Sequence, residues 1–223
     1  MTGSHFVKPN GLHKEDHYST AYDMAVLTRY AMRNETFRKI VSTATYNAAP
    51  TNKDSDGYQW YNSNRLLYTK EGEADYKYKY ATGVKTGDTT AAGRCLVASA
   101  EKDGVELILV LFGDYENKVK GEYRFENAAK FFDWGFANFQ SVTVTPEEPL
   151  ESVPVTLGAQ ERVGLTCSAA RVLVRAADAG AVTGELVLPQ TLEAPVELGQ
   201  VVGRYVIRAG DETATEDLLK VIN

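Results

Sequence analysis

Residues 83–113 read "GVKTGDTTAAGRCLVASAEKDGVELILVLFG". Two runs within it, "RCLVASA" (94–100) and "VELILVLFG" (105–113), are rich in the β-branched and apolar side chains that suit a pleated, buried surface. Between them stands "EKDG", whose Asp103-Gly104 pair accepts the left-handed backbone of a tight hairpin turn. The pattern predicts two antiparallel strands joined by that turn. Helices are predicted on both sides of the hairpin. Upstream, "YSTAYDMAVLTRYAMRN" repeats Ala21, Met24, Ala25, Leu27, Tyr30 and Ala31 at helical spacing. Thr20 and Asp23 form a capping-box-like start, and Asn34 caps a second, short helix over "NETFRKIV". Downstream, "EYRFENAAKFFDWGFANF" puts Phe125, Ala128, Ala129, Phe132 and Phe136 on one helical face. This part of the chain is α+β.

Composition changes sharply further on. Residues 1–140 hold 18 basic and 18 acidic side chains, whereas residues 141–223 hold 6 and 12 and so carry the whole net charge of −6. Beyond residue 140 the only aromatic side chain is Tyr205. Two cores of different character are expected, as domains 1–141 and 142–223, with "TPEEPLESV" (145–153) as the linker. The second part reads as short strands, "VPVTLG", "RVGLTC", "ARVLVRAA", "GELVLP", "QVVGRYVIRAG" and "DLLKVI", broken by Gly, Pro and Asp. That spacing predicts a small all-β, sandwich-like domain.

Several classes are disfavoured. No apolar run approaches a bilayer-spanning length. The opening "MTGSHFVKPNG" lacks the basic and apolar regions of a secretory signal. A neutral first part beside an acidic second argues against nucleic acid as a partner. Cys95 and Cys167 do not make a disulfide framework and read as small buried thiols in strands. His13 and His17 lie four apart in "HKEDH", but the zincin order is broken and no third ligand is evident, so no metal and no cofactor are expected. "YKYKY" (76–80) reads as a strand with tyrosines on one face and lysines on the other.

One motif carries chemistry. Lys85-Thr86-Gly87 spells the K-T-G of penicillin-binding proteins and class A β-lactamases, whose sites also need S-x-x-K and an S-D-N-type triplet. Around it, "HFVKPNGLH…YSTAYDMAVLTRYAM" resembles an F-x-x-P-x-G-L turn leading into an S-[TA]-x-D-[ML] helix. "YNSNRLLY" is similar to the asparagine-rich run before a K-T-G strand, and "RFENAAKFFDWGF" to a closing helix with W-G-F. In order and spacing these segments resemble the serine-type D-alanyl-D-alanine carboxypeptidases, the low-molecular-weight penicillin-binding proteins. "LGQVVGRYVI" resembles part of that family's C-terminal β-domain. The resemblance implies part of a penicillin-binding, β-lactamase-like transpeptidase domain followed by the β-domain.

It also implies the site. A serine attacks the carbonyl between the last two D-alanines of a peptidoglycan stem peptide, and β-lactams acylate the same serine. Lys85 supplies positive charge, Thr86 a hydroxyl for the substrate carboxylate, and Gly87 room for the substrate backbone along the strand edge. The Asp88 backbone N–H becomes an oxyanion-hole donor; its side chain departs from the histidine frequent in relatives. Arg124 falls where the family has an arginine assisting the carboxylate site, and a helix-start arginine is expected to be exposed. The protein is expected in the cell envelope, with membrane association only through segments that this sequence does not contain.

In the family the nucleophile motif and the S-x-N triplet precede the F-x-x-P-x-G-L turn, with which this sequence opens. Met1 is therefore expected to be an internal methionine of a longer protein. Ser99-Ala100-Glu101-Lys102 spells S-x-x-K, but on a strand running into a turn, and Ser55-Asp56-Gly57 lacks the asparagine. Three readings stay open: the C-terminal part of a carboxypeptidase, an inactive scaffold in cell-wall interactions, and a β-lactamase-like hydrolase, against which the appended β-domain speaks.

Overall fold

The computed structural model describes residues 1–114, 123–147, 150–210 and 212–222. Of the expected linker, residues 148 and 149 lie outside the described residues. The chain divides into two compact units, Met1–Phe136 and Ala137–Asn223.

The first unit is built on a three-stranded antiparallel sheet ordered β3-β4-β5: β3 Ala81–Thr89, β4 Gly93–Lys102 and β5 Val105–Asp114. Lys102 pairs with Val105 around a two-residue turn in which Asp103 (φ 50°) and Gly104 (φ 77°) are both left-handed. That is the geometry an Asp-Gly pair favours. Side chains alternate across β4, and both faces are covered. Leu96, Ala98 and Ala100 pack with Leu66 and with Phe125, Ala128 and Phe132 of α3 (Tyr123–Asn138). Val97 packs on the other face with Val84 of β3 and with Met32, Met24, Phe37 and Val41, from α1 (Ala21–Ala31), α2 (Glu35–Ser42) and their junction. A doubly covered strand takes small or apolar residues on both faces, which is why Leu96 to Ala100 do not alternate with charged side chains, and the hydroxyl of Ser99, the polar member of that run, is satisfied by Thr82. At Gly135 a Cβ would stand 2.5 Å from Leu107 Cδ1, so glycine lets α3 lie close on β5. A second hairpin pairs β1 (Thr45–Ala48) with β2 (Tyr58–Tyr61).

Both caps form: Thr20 accepts from the Asp23 N–H and Asn34 from the Phe37 N–H. The buried face of α1 differs from the expected one. Tyr30 is 73% exposed and Leu27 is also exposed, while Asp23, Thr28 and Met32 are buried. The Asp23 carboxylate draws the helix inward by accepting from the Gly3 N–H and the Ser4 hydroxyl, at 2.9 and 2.7 Å. Residues 76–80 form no ladder, although Tyr76, Tyr78 and Tyr80 do pack on the α3 core and both lysines are exposed.

The second unit is almost entirely strand. Its first strand, β6 (Phe139–Val144), starts at the last residue of the expected helix and pairs with β10 (Ala170–Arg175). A four-stranded sheet runs β11 (Val182–Val187), β13 (Val201–Ala209), β14 (Glu212–Val221), β9 (Leu165–Thr166). A three-stranded sheet runs β12 (Leu192–Glu193), β7 (Val153–Thr156), β8 (Arg162–Val163). The expected strand "RVGLTC" is thus two, interrupted at Gly164, with its halves in different sheets. Cys167 lies beyond its end and, like Cys95 on β4, is half-buried rather than buried. Val172, Val174, Tyr205, Ile207 and Leu219 form one core; Val153, Val163, Leu165 and Val221 form another.

Candidate active site

Among the described residues β3 pairs only with β4, so its other edge keeps its main-chain groups unpaired by any strand. Lys85, Thr86, Gly87 and Asp88 lie in the second half of β3 in register with Val97, Leu96, Cys95 and Arg94. The buried residues of β3 are Gly83 and Val84; Lys85, Gly87 and Asp88 are exposed and Thr86 is half-buried. Lys85 Nζ donates to the Thr86 carbonyl at 2.7 Å and to Ser63 Oγ at 3.5 Å. Thr86 Oγ1 donates to the same Ser63 oxygen at 2.6 Å. A cation and two hydroxyls therefore meet at one point of the strand.

Ser63 is held there by its neighbours. Asn64 is fully buried and donates to the Gly83 carbonyl at 2.7 Å while accepting from the Leu66 N–H. Asn62 donates to the carbonyls of Val41 and Thr43 and accepts from the Asn64 N–H. A side-chain amide that both donates to and accepts from the main chain fixes the backbone around it. Sequence reasoning noted the asparagine-rich run but missed Ser63; a serine flanked by two asparagines before an apolar pair was the available signal.

Arg124 corrects an expectation. It is 8% exposed, not solvated, and its Nη1 donates to the carbonyls of Gly87 and Cys95, each at 3.3 Å. Those two residues face each other across β3 and β4, so the guanidinium fastens the strand pair beside the motif. Its Cζ stands 4.9 Å from the Phe125 ring centroid, a cation–π arrangement. The Asp88 carboxylate reaches Arg94 across the same pair at 3.7 Å. A Cβ at Gly87 would make only an ordinary contact, 3.6 Å from Cys95 Cβ. Close packing inside the protein does not require glycine there.

The two sequence decoys stand apart from this edge. Ser99 is fully buried in β4, where its hydroxyl shares a 2.7 Å hydrogen bond with Thr82. Ser55 is exposed in a loop with its hydroxyl on Asp56. His17 Nδ1 accepts from the Val7 N–H.

Residues 1–116 match the family profile described as D-alanyl-D-alanine carboxypeptidase, and residues 139–222 match the C-terminal domain of penicillin-binding protein 5. D-alanyl-D-alanine carboxypeptidase DacF of Bacillus subtilis is 28% identical over 219 residues, covering 97% of this chain and 53% of the relative. DacC of Escherichia coli is 30% identical over 227 residues, covering 91% and 47%. The crystal structure of penicillin binding protein 5 from Haemophilus influenzae is 28% identical with a TM-score of 0.72, covering 99% of this chain and 60% of that one. The chain spans about half the length of the curated relatives it matches.

Proposed function

The chain belongs to the D-alanyl-D-alanine carboxypeptidase family, and on that premise we propose that it supplies the substrate-holding strand of a serine carboxypeptidase acting on peptidoglycan stem peptides. The observation that carries the reading is the free edge of β3, where Lys85 and Thr86 meet Ser63 beside the strand pair that Arg124 fastens. A peptide ending in D-Ala-D-Ala adds to this edge as a further strand, its main chain against that of β3. Gly87 leaves the edge clear of a side chain.

The terminal carboxylate meets the Lys85 ammonium, and the Thr86 hydroxyl turns from Ser63 to donate to it. A serine outside this edge attacks the last peptide carbonyl, D-alanine departs, and water resolves the acyl-serine. The Asp88 N–H stabilises the oxyanion beside the nucleophile's own N–H. Arg124 holds the Gly87 carbonyl, and with it the direction of the Asp88 N–H. β-Lactams acylate the same serine. The cell envelope, outside the cytoplasmic membrane, is the proposed location, because that is where the substrate lies. Among the described residues no helix is long and apolar enough to cross a membrane.

The test grafts this chain in place of the matched segment of the Bacillus subtilis relative. The graft is expected to release D-alanine and to be acylated by labelled penicillin. Lys85→Ala removes a charge-assisted hydrogen bond of about 1.5–3 kcal/mol, so acylation falls at least roughly tenfold. A correctly folded graft that Lys85→Ala leaves as fast as before overturns the role of the strand.

A further inference from the structure

Beside β2 lies a cleft of about 460 Å³, lined by Ile40 of α2, Tyr46 of β1, Trp60 and Tyr61 of β2, with Lys39 and Asn62 on its polar side. Its volume is that of a small-molecule site. Tyr46 and Trp60 are cross-strand partners whose rings stack at 5.9 Å and 24°. Tyr58 continues the stack against Trp60 at 6.3 Å and 19°. These rings are large, apolar and at least half exposed: Tyr46 57%, Tyr58 51%, Trp60 58%. A surface rarely spends so much aromatic area without a use.

We propose that this cleft binds the N-acetylated amino sugars of a glycan strand. The inference rests on the substrate class proposed above. A pyranose offers an apolar face of C–H groups to stack on an aromatic ring, and a rim of hydroxyl and amide groups to hydrogen-bond. The cleft offers the complement: rigid rings, phenol and indole donors at their edges, the Lys39 ammonium, and the apolar Ile40 side chain for an acetyl methyl. Rings already packed on one another lose little further freedom when a ligand arrives. One cation is too little charge for a polyphosphate, which sets nucleic acid aside. The position supports the assignment. Asn62 lines the cleft, and the next residue, Ser63, accepts the hydrogen bond from Thr86 on β3. A substrate with its peptide along β3 and a sugar in the cleft is gripped on both sides of the Asn62-Ser63 junction.

The chain has two tryptophans, so Trp134→Phe leaves Trp60 as the only indole reporter. Titration of that 223-residue variant with the tetramer of N-acetylglucosamine is expected to give a saturable change in Trp60 emission. Tyr46→Ala in the same background removes the stacking partner and weakens binding about tenfold, with circular dichroism as the folding control. The Trp60 indole N–H resonance of the unmutated chain is expected to move on titration, a measurement that needs no variant to fold. Absence of saturation by both readouts overturns the proposal, and so does equal binding of maltotetraose, which lacks acetamido groups. Sugar binding is read on this chain without any acylation step. Its loss with an active graft sinks the cleft alone, and an inactive graft with intact sugar binding sinks the catalytic reading alone.

Discussion

Arg124 is buried with one guanidinium nitrogen on two carbonyls from neighbouring strands, and its long side chain ties the start of α3 to the motif strand. Arg124→Ala leaves those carbonyls without that donor and opens space against Phe125. Hydrogen bonds to a charged group are worth about 1.5–3 kcal/mol, and at 3.3 Å these sit at the weak end, so the first unit should lose about 2 kcal/mol. Arg124→Lys keeps the charge but not the planar fork, and should recover less than half. Urea unfolding followed by the emission of Trp60 and Trp134 measures both variants. An Arg124→Ala midpoint equal to that of the parent rejects the clamp. The position of this arginine was legible in sequence through its resemblance, but its burial was not. A helix-start charge faces solvent by default, and only the passage of β3 and β4 over the helix reverses that. Ser63 was hidden for the same reason, since nothing local places it on Thr86 some twenty positions away.

Elements whose signals are local were the most legible. The Asp103-Gly104 turn and the Thr20 and Asn34 caps each depend on a few adjacent residues and form as their chemistry dictates. The β1–β2 hairpin was not read, because the whole loop 49–57 separates its strands and the Asp56-Gly57 pair stands at the loop's end rather than alone between two apolar runs. The tyrosine–lysine segment was half legible: its period of two correctly separates packed tyrosines from exposed lysines. Its hydrogen bonds instead tie Tyr78 N–H to the Leu66 carbonyl and leave no ladder. Tyr78 also donates its hydroxyl to Asp133 of α3 at 2.8 Å. Burial pushes this phenol well above its ordinary value, and the Asp133 carboxylate raises it further. Below about pH 10, the unfolded value, both states keep the proton. Above it the unfolded chain releases the proton first, so the contribution of Tyr78 to stability falls as pH rises through the alkaline range. Tyr78→Phe should therefore be less stable than the parent near neutrality yet show a shallower decline between pH 9 and 12. Urea midpoints across that range give both slopes, and equal slopes would mean that Tyr78 does not contribute.

At the scale of the whole molecule, the change of composition near residue 140 reflects two ways of filling a core. The first unit packs Tyr76, Tyr78, Tyr80, Phe125 and Phe132 around small alanines of β4. The second has one tyrosine and fills its cores with valine, leucine and isoleucine from strands of its own. What composition left unread is the sheet arrangement: β14 adds to both cores, through Leu219 and Val221, and Gly164 sends one apparent strand into two sheets. Each side chain of those cores comes from within residues 137–223, so that segment expressed alone should fold cooperatively. Tyr205, buried against Gly184, is its only tyrosine, and its emission reports packing while far-UV circular dichroism reports strand content. The two probes should trace one urea transition with a slope on the order of 1 kcal/mol/M, as expected for a small domain. Ile207→Ala, at a position with no exposed surface, should lower its stability by about 2–4 kcal/mol. Non-coincident or gradual transitions would show that the acidic segment cannot hold its fold alone, because the net charge of −6 that it carries repels more than these valine-rich cores attract.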